Sequence, residues 1–245
     1  MTIPIIAHRT CTLDCPENSL AGIRKAAELA ADGVEIDVRR TLDGKVVLMH
    51  DWSPRRTTGL PGPVAWYPSF LLRHVRLHGE GSERVPTLDQ ALDALPEGLI
   101  LAIEIKDAGA APSTLASIRA RRLEARVLMW SYREAAVRYF ARRAPEIEAA
   151  LLRDDTDPEG LTRFLTDATE YGARAISVHW DAITPQFVGE AHDRNLRVFS
   201  MNRDLEMIAK RVAAGLDGIV TDHPREVRAV LESLPAMPLK KHALD

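Results

Sequence analysis

Long apolar runs are missing from this chain. None of its 245 residues belongs to an uninterrupted apolar stretch near the roughly 18 residues that a membrane span needs, so no stable membrane insertion is expected. Nor does a basic segment precede an apolar one at the N-terminus. The first residues already feed a strand-type run, which argues against a cleaved leader and makes the cytoplasm the expected compartment. Cysteine is scarce: Cys11 and Cys15 are the only two, and in a reducing cytosol they read as free thiols. An excess of one charge is absent as well. The formal net charge of −3, with 27% charged and 46% hydrophobic residues, gives no reason to expect nucleic acid or an anionic membrane as a partner. Without short repeats, low-complexity tracts or a recognisable linker, a solenoid is excluded and one domain over 1–245 is expected.

The chemistry gathers in residues 33–51. Glu35 and Asp37 stand two apart in a strand-type run, so both carboxylates share one face, and two hard oxygen ligands side by side suggest a divalent cation. Asp43-Gly44 reads as a tight turn, and antiparallel pairing about it brings His50 back roughly level with Asp37. Two further strand-type runs end in titratable residues: Ile5-Ile6-Ala7 in His8-Arg9, and Leu101-Ala102-Ile103 in Glu104-Ile105-Lys106.

Along the remainder, strand and helix patterns alternate. Asn18 is placed as the N-cap of a helix that runs from Ser19 toward Ala30, and Thr87 as the cap of one over 88–95. Strand-type runs follow at 99–105, 126–130, 148–152, 174–178, 196–201 and 218–221, separated by helical patterns at 113–122, 133–143, 159–171, 185–194 and 204–214. A last helix covers 224–234, ahead of a loose tail over 235–245. Setting the hairpin partner at 46–50 aside leaves eight strands alternating with helices, the pattern of a (β/α)8 TIM barrel. Residues 52–84, rich in proline and glycine, are too long for a structureless loop and read as a small insertion after His50. His74 and His78, four apart within it, read as surface histidines rather than a zinc pair. In such a barrel the active site lies at the C-terminal strand ends, where His8, Arg9, Glu35, Asp37, Glu104 and Lys106 all fall.

In order, His8-Arg9-Thr10, Pro16-Glu17-Asn18, Glu35-Ile36-Asp37, Asp43-Gly44, His50-Asp51, Arg56-Thr57-Thr58, Pro86-Thr87-Leu88, Glu104-Ile105-Lys106 and the segment from Asp217 to Asp222 make a set that resembles the glycerophosphodiester phosphodiesterase family. The resemblance runs along most of the chain. It implies a metal-dependent hydrolase that cleaves small water-soluble glycerophosphodiesters, the deacylated phospholipids, to glycerol 3-phosphate and an alcohol. It assigns the metal to Glu35, Asp37 and Glu104. A set of three carboxylates without a soft ligand fits Mg²⁺ or Ca²⁺ better than zinc.

His8 and His50 are the natural proton carriers, since histidine titrates near neutral pH, and the family's two-histidine acid–base scheme transfers to them without fixing which is acid and which is base. Arg9 and Lys106 are expected to hold nonbridging phosphate oxygens. The bland alternative pairs the acids with Arg39 or Lys106 as salt bridges. Asp51 is a candidate for orienting a histidine. Asn202 is the best candidate for reading the alcohol, with His179, Trp180 and Asp181 behind it. Two departures bear on substrate: Thr10 replaces a glycine, and Phe199-Ser200-Met201-Asn202 stands where the family often has a tryptophan. Rival readings are a phospholipase D-like enzyme acting on intact lipids and a catalytically silent, phosphodiester-binding barrel.

Overall fold

The computed structural model describes residues 3–79, 81–202 and 204–234. Among these residues nine strands form one sheet: β1 (Ile5–Ala7), β2 (Gly33–Arg40), β3 (Val46–Leu48), β4 (Ile100–Ile105), β5 (Val127–Ser131), β6 (Glu148–Leu152), β7 (Ala175–Ser177), β8 (Arg197–Met201) and β9 (Gly218–Thr221). β1 pairs in parallel with both β9 and β2, Ile6 lying level with Val220 on one side and with Gly33 on the other, and this closes eight parallel strands into a barrel. β3 is the exception. It pairs antiparallel with the far end of β2, Val38 opposite Leu48, as the Asp43-Gly44 turn requires.

Each strand feeds an outer element: α1 (Leu20–Glu28), α4 (Leu88–Asp93), α5 (Ala111–Ala120), α6 (Glu134–Arg143), α7 (Pro158–Tyr171), α8 (Pro185–His192), α9 (Ile208–Ala213) and α10 (Pro224–Ser233), with the short α2 (Arg55–Thr58) and α3 (Ser69–Leu72) inside the insertion. The helix expected from 204 begins later, because Asp204 caps a 3-10 turn over Leu205–Met207 first. The tail 235–245 lies outside the described residues.

Alternation along the strands divides the core in two. Ile6, Ala102, Trp130, Ala150, Leu152, Ala175, Phe199 and Val220 fill the barrel, while the alternate positions pack against the helices. The insertion has a small core of its own, built from Val47, Met49, Val64, Leu72, Leu77 and Val85.

Residues Arg9, Thr10 and Cys11 all adopt left-handed backbone, with φ of 43°, 64° and 65°, a conformation that costs a non-glycine residue about 1–3 kcal/mol. Here the surroundings hold it. The Thr10 side chain is fully buried against α1, and its Oγ1 accepts the Ser19 N–H at 3.0 Å. Gly22 makes that approach possible, since a Cβ there would stand 1.8 Å from the Thr10 carbonyl oxygen. Gly22→Ala is expected to cost about 1–3 kcal/mol of stability, read as a lower denaturant midpoint with an unchanged slope.

Candidate active site

β2 and β4 lie side by side with Asp37 level with Glu104, so their inward carboxylates converge at the C-terminal mouth of the barrel. Glu35, Asp37 and Glu104 are buried, and each offers an oxygen within 4.8 Å of the others. Three buried acids at this spacing repel one another. Burial and then the charges of Asp37 and Glu104 push Glu35 well above the ordinary carboxylate range. Burial raises Glu104 too, against the pull of Lys106. Asp37 goes the other way, because Lys106, His50, Arg9 and Asn18 together outweigh its burial and hold it low.

Two cations answer the three acids. Lys106 Nζ lies 2.6 Å from Glu104 and 2.9 Å from Asp37, and Arg9 Nε lies 3.5 Å from Asp37. The left-handed turn after β1 aims the Arg9 backbone N–H at Glu35 Oε2, 2.8 Å away, while Glu35 Oε1 is buried with no hydrogen-bond partner. Lys106 thus takes up the ion pair weighed for it. Arg39 does not: it donates from Nε and Nη2 to the His50 carbonyl at 3.0 and 2.8 Å and pairs with Asp107 at 2.9 Å.

The histidines flank this cluster in matching states. His8 donates from Nδ1 to Asp222 at 2.9 Å, and His50 donates from Nδ1 to Asp51 at 2.7 Å. Each carboxylate fixes its imidazole through Nδ1 and leaves Nε2 outside that bond. Burial lowers the His50 pKa, although Asp37 and Asp51 act against it. Asp222 is steadied by the Thr12 hydroxyl at 2.9 Å. Asp51 is held by Arg56, whose Nε and Nη2 donate to it at 2.7 and 3.1 Å and whose Nη1 and Nη2 grip Glu17 at 2.6 and 2.7 Å. Those bonds bring Asp51 down to about 2.

Asn18 is not the helix cap. Ser19 caps α1 by accepting the Gly22 N–H at 3.1 Å, whereas Asn18 sits in left-handed backbone, φ 55°, outside the helix. Its Nδ2 donates to Asp37 Oδ2 and its Oδ1 accepts the Asp37 N–H, both at 2.8 Å, so it locks that carboxylate in place.

Asn202 stands at the end of β8 with Oδ1 accepting the Asp204 N–H at 3.1 Å. Trp180 is buried in the outer core, His179 Nδ1 accepts the Asp181 N–H, and Asp181 is exposed beside Arg211, so this trio is built into the β7–α8 connection. Within the segment that stands where the family often has a tryptophan, Phe199 points into the barrel and meets Trp130 with ring centroids 5.4 Å apart, in space left by Gly218, whose Cβ would lie 2.3 Å from the Phe199 ring. His74 meets Arg84, and His78 meets the Arg56 carbonyl. Cys11 and Cys15 are free, and burial pushes the Cys11 thiol up to about 12, which makes it a poor nucleophile.

Comparison with known proteins places this geometry. The sequence model described as the glycerophosphoryl diester phosphodiesterase family matches residues 8–226. A glycerophosphodiester phosphodiesterase of Caldanaerobacter subterraneus subsp. tengcongensis is 29% identical over 235 residues, covering 90% of this chain and 94% of the relative. One of Bacillus altitudinis is 27% identical over 94% of this chain and 98% of its own length. Among solved structures, a glycerophosphoryl diester phosphodiesterase of Parabacteroides distasonis superposes with a TM-score of 0.76 at 25% identity, over 98% of this chain and 90% of its own. The fold is also that of an Oleispira antarctica phosphodiesterase solved in complex with the product sn-glycerol-3-phosphate, at a TM-score of 0.81 and 24% identity over 95% of this chain and 98% of that one.

Proposed function

Because this chain belongs to the glycerophosphoryl diester phosphodiesterase family, we propose that it hydrolyses glycerophosphodiesters to glycerol 3-phosphate and an alcohol, using His8 and His50 as acid and base and one divalent cation held by Glu35, Asp37 and Glu104. The observation that carries this reading is a buried three-carboxylate cradle flanked by two imidazoles, each locked through Nδ1 to an aspartate.

The residues fit a cation. Among the described residues, Glu35 Oε1 is buried without a hydrogen-bond partner, and the three carboxylates face two side-chain cations. A set made entirely of carboxylate oxygens suits Mg²⁺ or Ca²⁺. Such an ion, when bound, supplies positive charge against the phosphate oxygens and orients them for in-line attack. Arg9 and Lys106 lie at the rim of the same cradle and are the groups that bind nonbridging oxygens, where fixed charge gains most as negative charge grows. The imidazoles carry the protons. With Nδ1–H engaged, Nε2 of one takes a proton from the attacking hydroxyl or water and Nε2 of the other gives one to the departing alkoxide. Asn18, Asp51 and Asp222 touch no reacting atom; they hold the groups that do. Asn202 completes the mouth on the β8 side and is assigned to the alcohol.

Purified protein stripped with a chelator and resupplied with Mg²⁺, Ca²⁺, Mn²⁺ or Zn²⁺ in turn is expected to release glycerol 3-phosphate from glycerophosphocholine or glycerophosphoethanolamine only after add-back. Turnover of neither diester with any of the four ions would defeat the reading.

Arg56 supplies a test of the frame around His50. Arg56→Ala is expected to lower kcat on the order of tenfold with KM little changed, because a misaimed imidazole loses rate rather than binding. Arg56→Lys is expected to fail as well, since an ammonium cannot bridge two carboxylates bidentately. Full activity in the alanine variant would remove Arg56 from the positioning of His50.

A further inference from the structure

Seven large apolar side chains are exposed among the described residues, and five of them, Leu42, Trp52, Trp66, Phe70 and Leu71, fall between positions 42 and 71. Hydrogen bonds draw their attachment points together. The Leu42 N–H donates to the Tyr67 carbonyl and the Val64 N–H to the Trp52 carbonyl, both at 3.0 Å, and Asp43 accepts the N–H and the hydroxyl of Ser69 at 2.9 and 2.8 Å. A cleft of about 380 Å³ is walled jointly by Leu42, Trp52, Val64 and Arg40. Trp66 packs over Gly62, where a Cβ would lie 2.6 Å from its ring, and still leaves 69% of itself in solvent. An apolar cluster of this kind marks an interaction surface.

The charge around it identifies the partner. Residues 52–84 carry five arginines against two glutamates, in a chain whose formal charge is −3. Arg40, Arg55, Arg73 and Arg76 are exposed. Asp43 is taken up by Thr41 and Ser69, and Asp107, which lines the same cleft, pairs with Arg39 at 2.9 Å. Among the described residues, only Arg56 of the five arginines is spent on carboxylates, those of Glu17 and Asp51. Indole and phenyl rings interspersed with arginines form the composition that sits at headgroup depth, rings in the interface and guanidinium groups on phosphate. The net charge of the whole chain hides this local excess.

We propose that the face formed by the β2–β3 turn and the insertion docks on an anionic lipid bilayer, through Trp66, Phe70 and Leu71 inserted at headgroup level and Arg55, Arg73 and Arg76 held against lipid phosphates. The insertion follows His50 directly, so docking sets the barrel mouth beside the bilayer surface. Such adhesion is independent of the reaction and is measured without turnover.

The test is co-sedimentation of the full chain with phosphatidylcholine vesicles and with vesicles in which phosphatidylglycerol replaces part of the phosphatidylcholine, at low and at high salt. The protein is expected to pellet with the anionic vesicles and to be released by salt. Removing Arg73 or Arg76 as glutamine should weaken partition about fivefold each, and Trp66→Ser with Phe70→Ser should weaken it about tenfold, while the melting temperature of every variant stays at the wild-type value. Absence of the protein from the anionic pellet would overturn the proposal, and so would equal partition of the variants. If the wild type is a dimer in gel filtration and the Trp66→Ser, Phe70→Ser protein a monomer, the face is a contact between copies of this chain and the proposal fails.

Discussion

A Glu35→Gln protein is expected to fold, to gain stability when free of metal, and to lose kcat/KM on glycerophosphodiesters by on the order of 10³. The two effects share one cause. Burial and the neighbouring charges of Asp37 and Glu104 lift the Glu35 pKa in the folded state well above its unfolded value. A carboxyl raised in this way contributes stability at pH below its unfolded pKa, and that contribution is lost as pH rises through the folded pKa. The chelated wild type should therefore melt at lower temperature as pH is raised across that interval, and Mg²⁺ or Ca²⁺ should restore it. Glutamine keeps the shape and the bond from the Arg9 N–H but cannot ionise, so the melting temperature of the variant should fall less over the same pH range, the remaining slope coming from Glu104, which burial also raises. Its turnover should be lost because the cradle has given up a charged oxygen. Melting curves and initial rates on one preparation check both halves.

His50→Ala is expected to lower kcat by about 10²- to 10⁴-fold, and His8→Ala by a similar factor. The double variant should fall little further, since both act in one concerted proton exchange. The pH profile separates a catalytic from a structural role. Burial holds the His50 pKa below the ordinary histidine value of 6.5, so its neutral form prevails at neutral pH and a bound cation would lower the pKa further. The acid limb of the wild-type profile should accordingly bend below pH 6.5, and His50→Ala should erase that bend. A variant that kept the bend and lost only melting temperature would reduce His50 to a structural part.

The acids of the site were legible because strand alternation needs no long-range information: Glu35 and Asp37 two apart, and Glu104 two before Lys106, share a face wherever the strands lie. The barrel was legible for a related reason, since eight alternating units together with titratable residues at the strand ends match its pattern. What joins the site together was not. Asn18 followed by a helical pattern looks like a cap, and only the fold reveals that the neighbouring Ser19 takes that task and frees Asn18 for Asp37, 19 positions away. Arg56 reads as an exposed arginine until Glu17, 39 residues earlier, meets it in space. Asp222 stood within a recognised motif, yet its partner His8 is 214 residues distant. The signal that could have found Asp222 is the pairing logic already applied to Asp51: a histidine fixed for proton transfer needs an acceptor at Nδ1, and few carboxylates stand at strand ends. Thr10 was legible only as a residue type: its left-handed backbone turns the side chain into the packing against α1, a direction that sequence does not carry.

Calorimetric titration of the chelator-stripped protein with Mg²⁺ and Ca²⁺, repeated in two buffers of different ionisation enthalpy, tests the central assignment most directly. One ion per chain is the expected stoichiometry, with proton release on binding because burial and neighbouring charge raise the Glu35 pKa and ligation requires the ionised carboxylate, and with both the heat and the proton release reduced in Glu35→Gln. Saturable binding that leaves Glu35→Gln indistinguishable from wild type, or full turnover of a glycerophosphodiester by the stripped protein, would contradict it.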